Sequence, residues 1–219
     1  MYLPGHFEET RTDVLQAFVA AHPFGLWVTA GASGLLANAI PFLLDAGGAA
    51  GLGVLRGHVA RANPAWREAG TGESLVVFQG PQAYVSPGWY PSKAAHGKVV
   101  PTWNYLMVQA RGRVRAIEHR DWLRGLVSRL TDRHEATRAE PWAVGDAPEA
   151  YVTSMLDAIV GIEIEVETVE GQKKLIQHKG QTEHAGAIHG LRQRGDAGSA
   201  SIADLMEQAA RSKFGADFP

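Results

Sequence analysis

The alternation of apolar and polar residues predicts a mainly β chain with added helices. Short apolar runs are separated by glycine-rich turns such as Gly31-Ala32-Ser33-Gly34, a spacing typical of a β-meander. The predicted strands cover residues 26–30, 35–44, 51–55, 74–79, 83–86, 101–117 and 159–169. In the last strand, Ile162, Ile164 and Val166 alternate with glutamates, as expected when one face is buried.

Apolar residues at helical spacing predict helices before, between and after these strands. The first is capped by Thr10 or Thr12 and runs to about Ala21, because His22-Pro23 ends it. The others cover residues 58–66, with a break near Asn63-Pro64, and then 121–135, 148–158, 183–194 and 201–212. Six or seven antiparallel strands with inserted helices favour a closed barrel over alternating βαβ units.

The composition and the apolar runs limit the possible chemistry and the expected location of the protein. The chain has 219 residues and no cysteine, which excludes disulfides, thiol nucleophiles and cysteine-based metal sites. Its first residues lack the charged and apolar regions of a signal peptide, and apolar runs such as Leu35–Leu44 are too short to span a bilayer. We therefore expect a soluble cytoplasmic protein that is not bound to a membrane.

A net charge of −2 hides an uneven distribution of charge. Between Ala46 and Ile117 there are eight basic residues and only two acids, so this span carries +6 and the remainder −8. Such a concentrated positive field suits an anionic small molecule, most commonly one with a phosphate group. Alternatively, these charges point outward and pair with acids elsewhere in the fold.

The stretch from Tyr84 to Tyr105 holds five of the eighteen aromatic residues of the chain. They are interleaved with hydroxyl side chains and lysines and broken by three prolines, which predicts a rigid, irregular loop between two strands. Aromatic rings on such a loop can stack on a flat ligand, while hydroxyls and lysines hold its edge or a phosphate. Alternatively, the tryptophans plug one end of the barrel.

Two sequence blocks in this region carry a family resemblance. Residues 80–93 read Gly-Pro-Gln-Ala-Tyr-Val-Ser-Pro-Gly-Trp-Tyr-Pro-Ser-Lys, and residues 99–105 read Val-Val-Pro-Thr-Trp-Asn-Tyr. Together with matching segments at 1–4, 22–25, 58–64 and 159–164, they make the chain resemble the PaiB family of FMN-binding negative transcriptional regulators. The resemblance implies an antiparallel split β-barrel like that of pyridoxamine-phosphate oxidase, and a homodimer with the flavin near the subunit interface. We expect an FMN-binding barrel domain over residues 1–180, followed by helices over 181–219 that pack on the barrel or on a partner subunit.

The resemblance also implies a set of cofactor-binding residues. The candidates are His58, Arg61, Asn63, Tyr84, Ser86, Trp89, Tyr90, Lys93, Thr102, Trp103, Asn104, Lys174 and Gln177. Arg61 and Asn63 are expected near phosphate or ribityl oxygens, and Lys93 is a second candidate phosphate charge. Residues 102–104 are expected at the isoalloxazine edge, whereas His58 has the alternative of a structural role. The family usually has Lys-Leu-Ser-Gln-Asn where this chain has Lys174-Leu175-Ile176-Gln177-His178, so ligand affinity or choice could differ here.

Other functional motifs are absent or incomplete in the sequence. Gly51-Leu52-Gly53 lacks the third glycine of a dinucleotide fingerprint, and there is no phosphate-binding P-loop or nucleophile elbow. Nine histidines include no His-Glu-x-x-His, and we expect no metal site. Haem stays open as an alternative to flavin, with His178 or His96 as a proximal ligand.

DNA binding follows only from the resemblance. Residues 183–219 contain four bases and five acids. Within the last predicted helix, residues 202–210 include the acids Asp204 and Glu207 and no basic residue. A recognition helix needs the opposite balance.

The sequence therefore leaves three functions open. The first is a flavin-dependent sensor or negative transcriptional regulator, and the second is a flavin oxidoreductase that uses a reduced nicotinamide on a small substrate. The third is a haem-binding or haem-degrading relative. No carboxylate occurs between Ser74 and Ile117, which favours binding over turnover. Catalytic residues stay unassigned, although His96, Tyr84, Tyr90 and Tyr105 are possible proton donors.

Overall fold

The computed structural model describes residues 1–32, 34–70 and 72–218. Ser33, in the predicted turn at 31–34, lies outside these described residues. The strands are β1 (Glu8–Glu9), β2 (Phe24–Gly31), β3 (Gly34–Pro41), β4 (Leu43–Asp45), β5 (Val54–Ala60), β6 (Glu73–Val85), β7 (Thr102–Ile117) and β8 (Ile159–Lys174). The α-helices are α1 (Thr12–Ala21), α2 (Ala65–Glu68), α3 (Ser92–His96), α4 (Arg120–Glu135), α5 (Glu149–Asp157), α6 (Gln181–Arg194) and α7 (Ala197–Phe214).

The strands form one sheet in the order β3-β2-β6-β7-β8-β5-β4, and β1 pairs with β8. The pairs β1–β8, β2–β3, β2–β6, β4–β5 and β5–β8 are all antiparallel. The predicted mainly β architecture with added helices is therefore confirmed. Within the described residues, no helix has both the length and the apolar character that crossing a bilayer requires.

The chain divides into two compact units. The first unit consists of Met1–Arg11, Gln79–Val108 and the chain from Glu170 onward, and the second of Thr12–Phe78 and Gln109–Val169. Strands β6, β7 and β8 each contribute residues to both units.

The second unit is held by alternating side chains of its strands. On β2, Trp27 and Thr29 are buried while Leu26 and Ala30 are exposed, the period-two pattern of a sheet with one covered face. Glycine is required where β7 approaches β8, because a β-carbon at Gly112 would lie 1.8 Å from the Glu165 carbonyl oxygen. The buried core of this unit includes Trp27, Phe42, Leu55, Phe78, Ile162 and Ile164.

The first unit is built around the last two helices. Helix α6 ends at Gly195, whose φ of 75° suits glycine, and Asp196 caps α7 by accepting a hydrogen bond from the Ser199 amide at 2.9 Å. The apolar faces of both helices join one buried cluster with the end of β6 and the segment after β8. This cluster contains Ala83, Val85, Tyr90, Leu175, Ile176, Ala187, Leu191, Ile202 and Met206.

Three predicted elements need correction. Residues 58–60 belong to strand β5, not to a helix, and the helix of this region begins only at Ala65, after Pro64. The alanines of 58–66 suit a helix, but pairing of β5 with β8 overrides that preference. The two strands predicted at 74–79 and 83–86 form the single strand β6 through Gly80-Pro81, and β8 continues past Val169 to Lys174, where β1 pairs with it.

Candidate functional site

Trp89 and Tyr90 are anchored in the interior of the first unit. A short 3-10 turn, Pro87–Trp89, brings Trp89 against helix α6. Tyr90 belongs to the apolar cluster of the first unit and is only 2% exposed. The Tyr90 hydroxyl has no hydrogen-bond partner among the described residues. Burial, with a smaller contribution from Glu183, raises the pKa of Tyr90 to about 12. These two aromatic residues therefore fill the first unit, as in the alternative of a structural plug.

Tyr84 and Trp103 form a more accessible aromatic pair. Their ring centroids lie 6.1 Å apart with the rings edge to face, and Trp103 is half exposed. Thr102 begins β7 beside them, and its hydroxyl makes only a long contact of 3.5 Å to the Trp103 carbonyl oxygen. An exposed indole with a neighbouring hydroxyl is suited to a flat ligand.

A cavity of about 260 Å³ lies on strands β6 and β7 of the first unit. It is lined by Gln79, Gly80, Gln82, Tyr105, Leu106 and Met107. The Tyr105 hydroxyl donates to Gln172 Oε1 at 2.8 Å, and the Lys174 ammonium lies 5.7 Å from the centre of the Tyr105 ring. Amide groups, an aromatic ring and a nearby cation thus surround one depression, which can hold a planar ring with polar edges.

Asn104 lies next to this region but is fully buried. Its amide nitrogen donates to Met206 Sδ at 3.1 Å, and its Oδ1 atom has no partner among the described residues. An unpaired buried amide oxygen costs stability unless another group satisfies it.

Two of the predicted contacts use their polar groups to hold their own turns. The Ser86 hydroxyl accepts a hydrogen bond from the Gly88 amide at 3.1 Å and caps the 3-10 turn. Gln177 Oε1 accepts from the Leu175 amide at 2.7 Å, and its Nε2 donates to the Lys173 carbonyl. Ile176, which lies between Leu175 and Gln177, has a φ of 56° and is the one non-glycine residue with positive φ among the described residues. The geometry thus gives Ser86 and Gln177 local structural roles.

Lys93 and Lys174 remain available to an anion. Neither lysine makes an ion pair with a residue that the structure describes. Lys93 is exposed on α3, and its ammonium lies 4.0 Å from the position that a β-carbon at Gly88 would occupy.

The fold supplies a carboxylate that the sequence span 74–117 lacks. Glu183 on α6 accepts a hydrogen bond from the Ser92 amide through Oε1 at 3.2 Å. Its second oxygen, Oε2, is buried without a partner among the described residues. Glu183 is therefore a carboxylate candidate for proton exchange beside the aromatic segment.

Arg61 and Asn63 lie in the second unit and are engaged by their own chain. Arg61 donates to the Asp157 carbonyl at 2.7 Å and the Ile159 carbonyl at 3.1 Å, and pairs with Glu118. Asn63 donates to Asn38 Oδ1 at 2.7 Å and accepts from the Ala65 amide at 2.9 Å, which fixes the start of α2.

His58, also in the second unit, lines a cleft of about 320 Å³. Other lining residues are Pro41, Val127, Leu130, Thr131, His134, Glu135 and Trp142. His58 Nδ1 is buried without a partner among the described residues, and burial lowers the pKa of this imidazole. The cleft offers a neutral imidazole and a half-exposed indole to a small ligand.

Sequence reasoning missed the cavity residues Gln79 and Gln82, and also Glu183. The two glutamines flank Gly80-Pro81, next to the aromatic segment, and this proximity in the sequence could have marked them as candidate site residues. Glu183 is 91 residues away from Ser92 in the chain, and only the fold brings it close. Within the described residues, no three His, Asp or Glu side chains form a group that could hold a metal ion.

Comparison with known proteins identifies relatives of this chain. A family model described as "Putative FMN-binding domain" matches residues 1–168. An uncharacterized protein of Emericella nidulans is 34% identical over 248 residues, which cover 97% of this chain and 99% of that protein. Protease synthase and sporulation protein PAI 2 of Bacillus subtilis is 30% identical over 115 residues, or 52% of this chain and 55% of that protein.

Solved structures are similar in fold. The FAD and heme binding protein from Mycobacterium smegmatis superposes with a TM-score of 0.55 at 17% identity, over 76% of this chain and 73% of that one. The predicted split β-barrel is thereby confirmed as the fold.

Proposed function

Because the chain belongs to the FMN-binding domain family matched over residues 1–168, FMN is its cofactor, and we propose that it is a flavin-dependent sensor that represses transcription. The predicted PaiB resemblance is confirmed by the Bacillus subtilis relative, and the proposed regulatory role rests on that resemblance. The observation that carries the sensor proposal is the composition of the 260 Å³ cavity in the first unit, which presents amides and apolar surface without an acid in its wall.

The residues of this cavity fit a flavin. The amides of Gln79 and Gln82 can exchange hydrogen bonds with the polar edge of an isoalloxazine ring, while Leu106 and Met107 offer apolar contact. The Lys174 ammonium beside Tyr105 is a suitable charge for the ribityl phosphate. When bound, FMN supplies hydride and single-electron chemistry. The protein supplies the position of the ring and the exclusion of water from one side.

A homodimer is the second part of the proposal. The outward face of β2 and β3 is entirely apolar where the strands pair, from Phe24 opposite Pro41 to Ala30 opposite Leu35. Phe24, Leu26 and Leu35 are 66%, 41% and 79% exposed. Monomeric proteins rarely expose contiguous apolar patches of this kind, so a second copy is the occupant we propose. As the family resemblance implies, the flavin is proposed to lie near a subunit interface.

Direct reading of DNA by the last two helices is not part of the proposal. Arg192 of α6 pairs with Asp204 at 2.9 Å and Glu207 at 2.6 Å, and Arg211 pairs with Glu207 at 2.7 Å. These bases are therefore committed to acids of α7 and are not presented to phosphates. Repression is proposed to depend on the flavin state and on another surface or partner.

A flavin oxidoreductase is the alternative function, and Glu183 is the observation that favours it. Its unpartnered buried oxygen and the unpartnered Tyr90 hydroxyl are two titratable groups in one part of the first unit. Carboxyl and phenol groups are among the side chains that donate or accept protons during turnover.

One set of measurements separates these functions. The purified protein is expected to show flavin absorption bands, and a Soret band instead would favour the haem alternative. Adding NADPH under air should give little sustained oxidation of NADPH if the protein is a sensor, whereas continuous consumption of NADPH would indicate an oxidoreductase.

Deleting the gene should raise specific transcripts that the intact chain represses again on complementation. Unchanged transcripts would reject the regulatory role. A salt-titrated DNA-binding assay tests direct contact, and no binding at low salt would exclude it.

A further inference from the structure

A group of basic side chains surrounds the turn that follows β8 in the first unit. We call it the basic cluster, and it consists of His6, Lys174, His178, Lys179 and Lys213. The imidazole rings of His6 and His178 lie 5.7 Å apart. The Lys213 ammonium donates to the carbonyl oxygens of Gln177 at 2.7 Å and Lys179 at 3.0 Å, and so joins the end of α7 to the turn.

The cluster's lysines are positioned by neutral groups. The Lys179 ammonium lies 4.5 Å from the centre of the Tyr90 ring, and the Lys174 ammonium lies 5.7 Å from that of Tyr105. None of these lysines makes an ion pair with a carboxylate of the described chain. Carbonyl oxygens and ring faces fix a cation in place without cancelling its charge. The cluster therefore keeps a positive potential that an acid would otherwise remove.

The charge state of His178 reflects this potential. Burial lowers the pKa of His178 first, and the positive charges of Lys179, His6, Lys174 and Lys213 lower it further. Glu170 and Glu183 make no ion pair with the lysines of the cluster. Glu170 pairs with the N-terminal ammonium at 3.1 Å, and Glu183 of α6 accepts from the Ser92 amide. An added anion would satisfy the lysines and favour protonation of the imidazole at the same time.

The turn that carries the cluster is held rigidly. Ile176 is buried in the left-handed conformation, with φ of 56°, which is unfavourable for a β-branched residue. Its carbonyl oxygen is bonded to His184 Nε2 at 3.1 Å and accepts from the Lys179 amide at 2.8 Å. A strained conformation that the surroundings fix in this way is typical of a ligand-binding turn.

We propose that the basic cluster binds the phosphate group of a small ligand, as a phosphomonoester or a diphosphate. Three ammonium groups and two imidazoles around one turn match the charge and the several acceptor oxygens of a phosphate. The phosphate of FMN and that of a second phosphorylated molecule share this chemistry. Of these two sources, only the phosphate of FMN rests on the proposed function.

Calorimetric titration with inorganic pyrophosphate tests the proposal. We expect binding that weakens with salt and strengthens between pH 7.5 and pH 6, with proton uptake seen as a dependence on buffer ionisation enthalpy. Binding to the FMN-loaded and the flavin-free protein alike would assign the cluster to a second phosphorylated ligand. Binding to the flavin-free protein alone would assign it to the phosphate of FMN. Both results support the site, and neither requires that the protein act as a regulator.

Variants identify the residues. Lys179→Gln is expected to weaken pyrophosphate binding about tenfold, the effect of one charge-assisted hydrogen bond. His178→Asn should abolish most of the proton uptake, and we expect the fold to be retained because the imidazole is only partly buried. Lys98→Gln removes an exposed lysine outside the cluster and is the matched control, for which we expect wild-type affinity. No binding at low salt, or equal losses in Lys179→Gln and Lys98→Gln, would overturn the proposal.

Discussion

Gly190 of helix α6 provides the space that the Trp89 indole occupies. A β-carbon at position 190 would lie 2.2 Å from Cδ2 of that ring, and one at Gly186, a turn earlier, would lie 2.2 Å from the Trp89 carbonyl oxygen. Two glycines on one helix face thus receive the Ser-Pro-Gly-Trp-Tyr block, although glycine lowers the intrinsic stability of a helix. The contact fixes the aromatic segment to the helices of the first unit.

The first prediction concerns this contact. Gly190→Ala should destabilise the protein by about 1–3 kcal/mol, because overpacking must displace the indole or the helix. Urea unfolding gives the free energy, and Trp89→Phe in the same background should recover part of it. The control is Gly125→Ala in α4, where a β-carbon would enter open space beside the helix and alanine should raise helix stability by up to about 1 kcal/mol. Equal effects of the two substitutions would contradict the prediction.

Local pattern was sufficient to predict most elements of the fold. The period-two alternation around Ile162 and the apolar stripe of 121–135 gave a strand and a helix that the structure contains. At His58 the local signal was misleading, because an alanine-rich run suits a helix and only pairing with the distant strand β8 makes it a strand. Such long-range pairing has no local signature in a single sequence.

The candidate site was predictable to a smaller extent. The Tyr84–Tyr105 segment was notable by composition, but its aromatic residues divide between the Tyr84–Trp103 pair, in which Trp103 is half exposed, and the buried Tyr90 with Trp89 packed against helix α6. Composition cannot make that distinction, because burial depends on helix α6. The assignment of individual cofactor contacts stays a prediction. The lysines were visible in the sequence, whereas their lack of acidic partners became apparent only from the fold.

The second prediction concerns the apolar face of β2 and β3. Leu26→Lys should convert a dimer into a monomer in sedimentation velocity, because burying an ammonium at an apolar interface without a partner is unfavourable. Tyr151→Lys places the same charge at an exposed apolar residue of α5 and should leave the dimer intact. A wild-type monomer, or a dimeric Leu26→Lys variant, would reject this face as the interface. Lower flavin content of the Leu26→Lys monomer is expected if the cofactor lies near that interface.

The third prediction concerns acid. Burial is the largest cause that lowers the pKa of His58, His178 and His184 below the ordinary value of 6.5. Below about pH 6.5 the unfolded chain therefore binds protons that the folded chain does not, and the free energy of unfolding should fall as the pH decreases. At neutral pH and above, this contribution is fully present.

Unfolding in urea at pH 7.5 and pH 5.5 measures this dependence above the range in which most carboxylates titrate. His184→Gln should reduce the difference between the two values, although loss of its contact with the Ile176 carbonyl lowers stability at both. His189→Gln, on the exposed side of the same helix, should retain the wild-type difference. A pH-independent free energy of unfolding over this window would contradict the prediction.

The last prediction separates the structural and cofactor roles of Asn104. Its Oδ1 atom is buried without a partner in the described chain, and its Nδ2 atom bonds only to the weak acceptor Met206 Sδ. Asn104→Leu has a similar shape and removes the unpaired amide, so the flavin-free protein should change in stability by less than about 1 kcal/mol. Asn104→Asp buries a charge at the same point and should destabilise that form by about 3 kcal/mol or more.

If Oδ1 accepts a hydrogen bond in the complex, Asn104→Leu should also weaken FMN binding about tenfold in a fluorescence titration. Riboflavin binding should weaken by the same factor, because the phosphate is not involved. Wild-type FMN affinity in a stable Asn104→Leu protein would remove Asn104 from the set of cofactor contacts and leave it with a structural role.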